Sequence, residues 1–529
     1  MDLVDAYLKH RFKWRPVDAT FMGDTGHDHR LPPVGPGCIE TELQETGILL
    51  GWAEDDDAAH PHDRRMILSE LRMEQARLRT RPRQLNPAWY TGEAAFAVIS
   101  LLLPQSAPWR SAAIAARIAG IPDFLAAGRN QIGETPVPSG WVGRARAEAQ
   151  AMALFLREDM ALHEAWQPDW AANNEAAAAA FDGFANALDT LPDADPACGA
   201  KHLELVFREE HALKLSPQDA VAQAEAAFAR CTEELEQMAN RIDPDRSWQE
   251  QIAALSRIGP QRPDEVTDSY IHWDAAAREA AETHGLVTPE QSYGLEYRPL
   301  WPCFARIAGP LYFLFYRSPP GLNPGLGSVY WVMPGASGDL SAHNTAMVKA
   351  IHAVHHGSVG HHTQNARARA SASRLGRIAA TDCAMGLAMP AALTLVEGWA
   401  CHVEDLLMEA EGFYSPAELL LLKSFERRNA ASVLVDVNLH CGTWTQAEAE
   451  RFYAEEAGFA PARVHSEVVR NSIFPGSRAT YWLGVEGIRA LRRRWSGSTR
   501  DFHDSLLAHG HVPLAFVEDS MRLAGRLDA

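Results

Sequence analysis

The 529-residue chain has no Cys-x-x-Cys pair among its 7 cysteines and no apolar run of the ~18 residues that a membrane helix needs. Basic charge is also scarce, with 49 Lys+Arg against 68 Asp+Glu and a formal net charge of −19. The cysteines (Cys38, Cys198, Cys231, Cys303, Cys383, Cys401, Cys441) are odd in number and scattered. They read as reduced thiols, not as a disulfide framework or a four-cysteine zinc site. The acidic balance argues against nucleic acid and anionic lipid as partners. The first ten residues show neither the basic start nor the apolar core of a signal peptide, so a cytoplasmic location and no membrane contact are expected.

What is present is an ordinary globular composition, 47% apolar, in a chain long enough for roughly two to four domain-sized units. Most of it reads as helix. Ala171–Leu191 is dense in strong helix formers. Ser216-Pro-Gln-Asp219, Ser415-Pro-Ala-Glu418 and Thr445-Gln-Ala-Glu448 are helix starts, and Gly285 is a stop. Between Tyr293 and Gly335, aromatic and β-branched runs (Tyr312–Tyr316, Ser328–Val332) punctuated by Pro319-Pro-Gly321 and Asn323-Pro-Gly325 predict two or three strands with turns. The expected fold is mainly α, with a small antiparallel sheet. A helical part, 1–290, and a catalytic part, 291–529, are expected to pack as one body.

Five of the 22 histidines lie between positions 352 and 362: His352, His355, His356, His361 and His362. Neutral imidazoles can crowd round a cation, so the cluster points to a metal site rather than a solvated face. On a straight helix only His352 and His356, i and i+4 and about 6 Å apart along the axis, could share an ion. His355 lies about 9 or 10.5 Å from His361 or His362 on such a helix, so convergence requires a break. Gly357 and Gly360 would permit one.

These residues resemble the H-E-x-x-P-G-H-H-x-Q signature of the bacterial domain-of-unknown-function family 885. His355 is the first histidine, His356 stands in place of the glutamate, Val359 replaces proline, and Gly360-His361-His362 with Gln364 match. An E-G-W-A-x-Y-x-E block is present as Glu397-Gly-Trp-Ala400 and Glu404, with His402 for tyrosine. W-T-x-x-x-A is met at Trp444–Ala449. R-x-x-x-x-P-G-Q-A-x-x-Y-x-x-G is met at Arg470, Pro475, Gly476, Tyr481 and Gly484, with Ser477 and Arg478 for Q-A, and a closing block spans Phe502–Leu514.

The resemblance implies a carboxypeptidase Taq-like, gluzincin-like metallopeptidase fold, with the small sheet beside the metal-binding helix. It also implies His355, His361 and Glu397 as metal ligands, zinc first and iron or copper as alternatives. Two imidazoles and a carboxylate leave a place open for water, as catalytic zinc requires. Glu404 is read as the partner of a ligand imidazole and His356 as the proton carrier in place of the missing glutamate. Tyr481 would be an oxyanion donor, and Arg470 would receive a substrate carboxylate. For Tyr481 and Arg470, core packing and a structural salt bridge are the plain alternatives, and for Glu404 a surface acid. His402 is an extra ligand or shuttle, His503 is structural, and Trp399 neighbours the ligand. The expected activity is metal-dependent hydrolysis of an amide or related bond in a small peptide-like substrate. A lyase or redox step on the same scaffold and a non-catalytic binding protein are the rivals, and a homodimer is left open.

Overall fold

The computed structural model describes residues 1–290, 293–312, 316–323, 325, 327–333 and 339–528. The chain is mainly α, and its helices begin where local chemistry dictates. Ser216 accepts from the Asp219 amide at the head of Pro217–Ile242, and Ser415 and Thr445 cap Pro416–His440 and Gln446–Arg451 with the same reciprocal box. Ala171–Ala187 is helical, and Val266–Thr283 ends just before Gly285, whose φ is 63°. No helix among the described residues is long and apolar enough to cross a membrane.

Three short strands are formed among the described residues: β1 (Leu295–Pro299), β2 (Tyr316–Arg317) and β3 (Ser328–Val332). β1 pairs with β3 in parallel, Tyr297 opposite Tyr330, where an antiparallel sheet was expected. The long connection between them, which includes helical turns at Pro302–Phe304 and Ala305–Ala308, lets the chain re-enter from the same end. Of the expected Tyr312–Tyr316 strand, 313–315 lie outside the described residues, as does Pro324 of the Asn323–Gly325 turn.

The chain forms two compact units that interleave in sequence, where a division near 290 was expected. The first comprises 1–196, 300–326 and 381–388, and the second 197–299, 327–380 and 389–529. Inserted segments, invisible to composition, assign the aromatic stretch 300–326 to the first unit.

The first unit is built on Pro87–Leu102, every residue of which is buried. Two of its buried charged groups are held by hydrogen bonds: Arg117 donates to Ala97 O (2.8 Å) and Thr20 Oγ1 (2.6 Å), and Glu148 accepts from Arg144 (2.7 Å). In the second unit Pro217–Ile242 lies against Pro416–His440 through Ala224, Ala227, Ala430 and Val433. The Leu393–Leu406 and Ala479–Arg493 helices touch backbone to backbone at Gly398 and Gly484. A Cβ on Gly398 would stand 2.8 Å from Gly484 Cα. That crossing sets the Glu397 helix beside the Tyr481 helix.

Candidate metal centre

The histidine segment is neither a straight helix nor a loop. Val348–His355 is wound as a π-helix, the chain turns at 357–360, and an α-helix runs from His361 to Ala368. The turn is possible only with glycine. A Cβ at Gly357 would stand 2.2 Å from Ala353 O, and one at Gly360 1.9 Å from His355 O. Neighbouring groups hold it in place. Trp399 Nε1 donates to Gly360 O (3.2 Å), and Asp274 accepts from Ser358 N (2.7 Å) and Ser358 Oγ (2.6 Å). Tyr297 donates its hydroxyl to Asp274 Oδ1 (3.0 Å). Asp274 and Tyr297 had no sequence signal, being remote acid and aromatic positions among many.

The break sorts the five histidines. His352 turns to the Tyr330 hydroxyl and stacks on Tyr270 with centroids 4.8 Å apart. His362 stacks on Tyr293 at 4.5 Å and uses both ring nitrogens, towards Tyr293 O (2.7 Å) and Ser328 Oγ (3.1 Å). The i, i+4 pair His352–His356 is therefore divided, because π-winding changes the angular spacing on which that pairing relies. His355, His356 and His361 gather instead, each offering a donor atom within 4.8 Å of the others.

Glu397 stands beside two of these imidazoles. Its Oε2 lies 3.8 Å from His355 Nε2 and 3.9 Å from His361 Nε2. The other ring nitrogens are occupied: His355 Nδ1 lies 2.6 Å from Glu404 Oε1, and His361 Nδ1 lies 3.1 Å from Gln364 Oε1. Gln364 donates its amide to Leu395 O (3.1 Å), which fixes its oxygen towards His361. That oxygen can only accept, so the His361 proton sits on Nδ1 and the Nε2 lone pair faces Glu397.

Burial pushes the His355 and His356 imidazoles down, against the pull of Glu397 on His355, so the rings are neutral donors at pH 7. Burial pushes Glu404 well up, with Arg428 pulling the other way. Ligand atoms around one tetrahedral ion, each about 2.0–2.2 Å from it, are separated by roughly 3.3–3.6 Å. The observed 3.8 and 3.9 Å fit that geometry with a small contraction. The donor set, two oriented imidazoles and a carboxylate with its side chain 14% exposed, fits a divalent transition ion.

The remaining expected site residues sit further out. Tyr481 is half-buried; burial first, then the Glu397 charge, raises its hydroxyl, so it remains a donor. The Arg478 guanidinium covers its ring at 4.9 Å. Arg470 is half-buried, and its charge acts on both Tyr481 and Glu467. His402 does not join the cluster; its Nε2 meets His503 Nε2 at 3.0 Å, and His503 Nδ1 reaches Leu286 O at 2.7 Å. Sequence reasoning passed over His511, a buried imidazole that His361 influences electrostatically.

Two solved structures have the same fold. One, described as a "putative lipoprotein of unknown function" from Shewanella oneidensis, has a TM-score of 0.77 at 17% identity, covering 98% of this chain and 99% of that one. The other, a "putative lipoprotein" from Colwellia psychrerythraea, has a TM-score of 0.74 at 16% identity, covering 99% and 98%. No curated protein matches at a significant level. The model of the family described as "Bacterial protein of unknown function (DUF885)" matches residues 16–521, and the chain belongs to that family.

Proposed function

We propose that the protein is a metal-dependent hydrolase of an amide or related bond in a small, peptide-like substrate, with His355, His361 and Glu397 holding the ion. The observation that carries this reading is the approach of two Nε2 atoms to one Glu397 oxygen, at 3.8 and 3.9 Å, with both Nδ1 atoms held from behind. A divalent ion bound there supplies Lewis acidity and a water of lowered pKa. The chain's own residues do the rest. Glu404 and Gln364 fix the two imidazoles, and Tyr481 offers a hydroxyl to an oxygen gaining negative charge. Arg470 is assigned to a substrate carboxylate. His356 occupies the position of the motif glutamate and serves as proton carrier or further donor.

Zinc, iron and copper all suit imidazole and carboxylate donors. A second reading, a lyase or redox step, gains support from the third imidazole of the cluster. Metal analysis of the purified protein and of H355A and E397A, with turnover of small amides and peptides, tests the assignment. Full metal content in both variants removes it. For location, seven scattered cysteines with no Cys-x-x-Cys pair support the cytoplasm. The two similar structures are described as lipoproteins, which would place the chain at a membrane surface instead, and cell fractionation separates the two.

A further inference from the structure

His356 follows His355 directly, and neighbours on a regular α-helix point about 100° apart and do not share a ligand. Here the π-helix closes at that point: the His356 amide donates to Ile351 O at 3.1 Å, and the chain then turns through Gly357. The His356 ring is thereby swung to the side of its neighbours. Its centroid lies 4.6 Å from that of His355 and 5.4 Å from that of His361. One donor atom from each of the three falls within 4.8 Å of the others. Atoms that close can reach one ion after contracting by up to about 1 Å towards the ~3.3–3.6 Å of a tetrahedral shell. A proton carrier reaching an attacking water would stand a further hydrogen bond, ~2.6–3.2 Å, beyond the ligand shell.

We infer that His356 is a third imidazole ligand, so that three histidines and Glu397 face one ion, and that the ion is iron(II) or copper(II) in preference to zinc. This rests on the metal-centre reading above and deepens it by naming the ion. Four protein donors fill a tetrahedral zinc shell, whereas an ion that accepts five or six ligands keeps places for water and substrate.

The test loads the full-length protein, H355Q, H356Q and H356E with Cu(II) and counts coordinated imidazoles by pulsed electron paramagnetic resonance. Three are expected in the wild type and two in each variant. H356Q should also lose at least about tenfold in metal affinity, no less than the loss of an outer partner costs. Two imidazoles in both the wild type and H356Q, with fewer in H355Q, overturn the role of His356 while leaving the His355–His361–Glu397 site standing. A wild type that binds no ion overturns both. H356E carries the family's own residue at that position, and its iron(II)-to-zinc retention ratio should fall at least about tenfold. An unchanged ratio overturns the metal preference.

Discussion

Glu404 Oε1 lies 2.6 Å from His355 Nδ1, and Glu404 sits two turns beyond Glu397 on the same Leu393–Leu406 helix. One helix thus supplies both a carboxylate that faces the centre and one that steadies a donor from behind. Removing the second should loosen the ion without dismantling the site. E404Q is expected to bind metal 10–100-fold more weakly, the usual cost of losing an outer partner. Chelator competition measures it, with far-ultraviolet circular dichroism as the folding check. Wild-type affinity in E404Q would show that the His355–Glu404 contact does not support the donor.

Gly360 is the tightest point of the centre, because its missing side chain is what allows His361 to follow the His355 carbonyl. G360A would place a methyl 1.9 Å from His355 O and 2.2 Å from Val354 O. Both contacts are backbone and cannot swing aside, so the cost should reach about 3 kcal/mol, the upper end for overpacking. A lowered urea midpoint and loss of bound metal are expected together. A variant that keeps the wild-type midpoint would mean the turn relaxes cheaply.

Acid should destabilise the second unit through its buried imidazoles. Burial pushes His503 down from 6.5 to about 4, partly offset by its hydrogen bond to Leu286 O. The unfolded chain takes up this proton near pH 6.5, the folded one only near 4. The stabilisation is therefore complete above 6.5 and is lost progressively as pH falls towards 4. One such group accounts for about 3 kcal/mol across that window. H503Q should be less stable than the wild type at pH 7 but show a shallower fall in unfolding free energy between pH 6.5 and 4. Parallel curves for the two proteins would remove His503 from the acid response.

The sequence carried the helix starts because capping is local: Ser216, Ser415 and Thr445 each find their partner three residues on. It carried Ser328–Val332 for a similar reason, a short apolar run without helical spacing. The parallel pairing of β1 with β3 was hidden, since it depends on where a long connection returns. At the centre, the glycines signalled a break between His355 and His361, but the choice between His361 and His362 did not follow from spacing. Tyr293 and Ser328, distant in sequence, occupy the His362 ring and turn it away. Asp274 pins the turn across 84 residues of chain, a partnership that no local pattern encodes.

Tyr481 gives the sharpest test of chemistry as distinct from metal binding. It lies near the start of the Ala479–Arg493 helix, which the Gly398–Gly484 contact holds against the helix of Glu397. Burial and the Glu397 charge keep its hydroxyl protonated, so it can donate to an oxygen as that oxygen acquires negative charge. Phenylalanine keeps the ring under the Arg478 guanidinium and removes only the donor. On whichever amide the wild type cleaves, Y481F should lose about 10²–10³-fold in kcat, the range for deleting one oxyanion donor. KM and metal content should stay close to wild type, because the bond forms only in the transition state. A Y481F enzyme with wild-type kcat would return Tyr481 to a packing role and require another donor at the reacting oxygen.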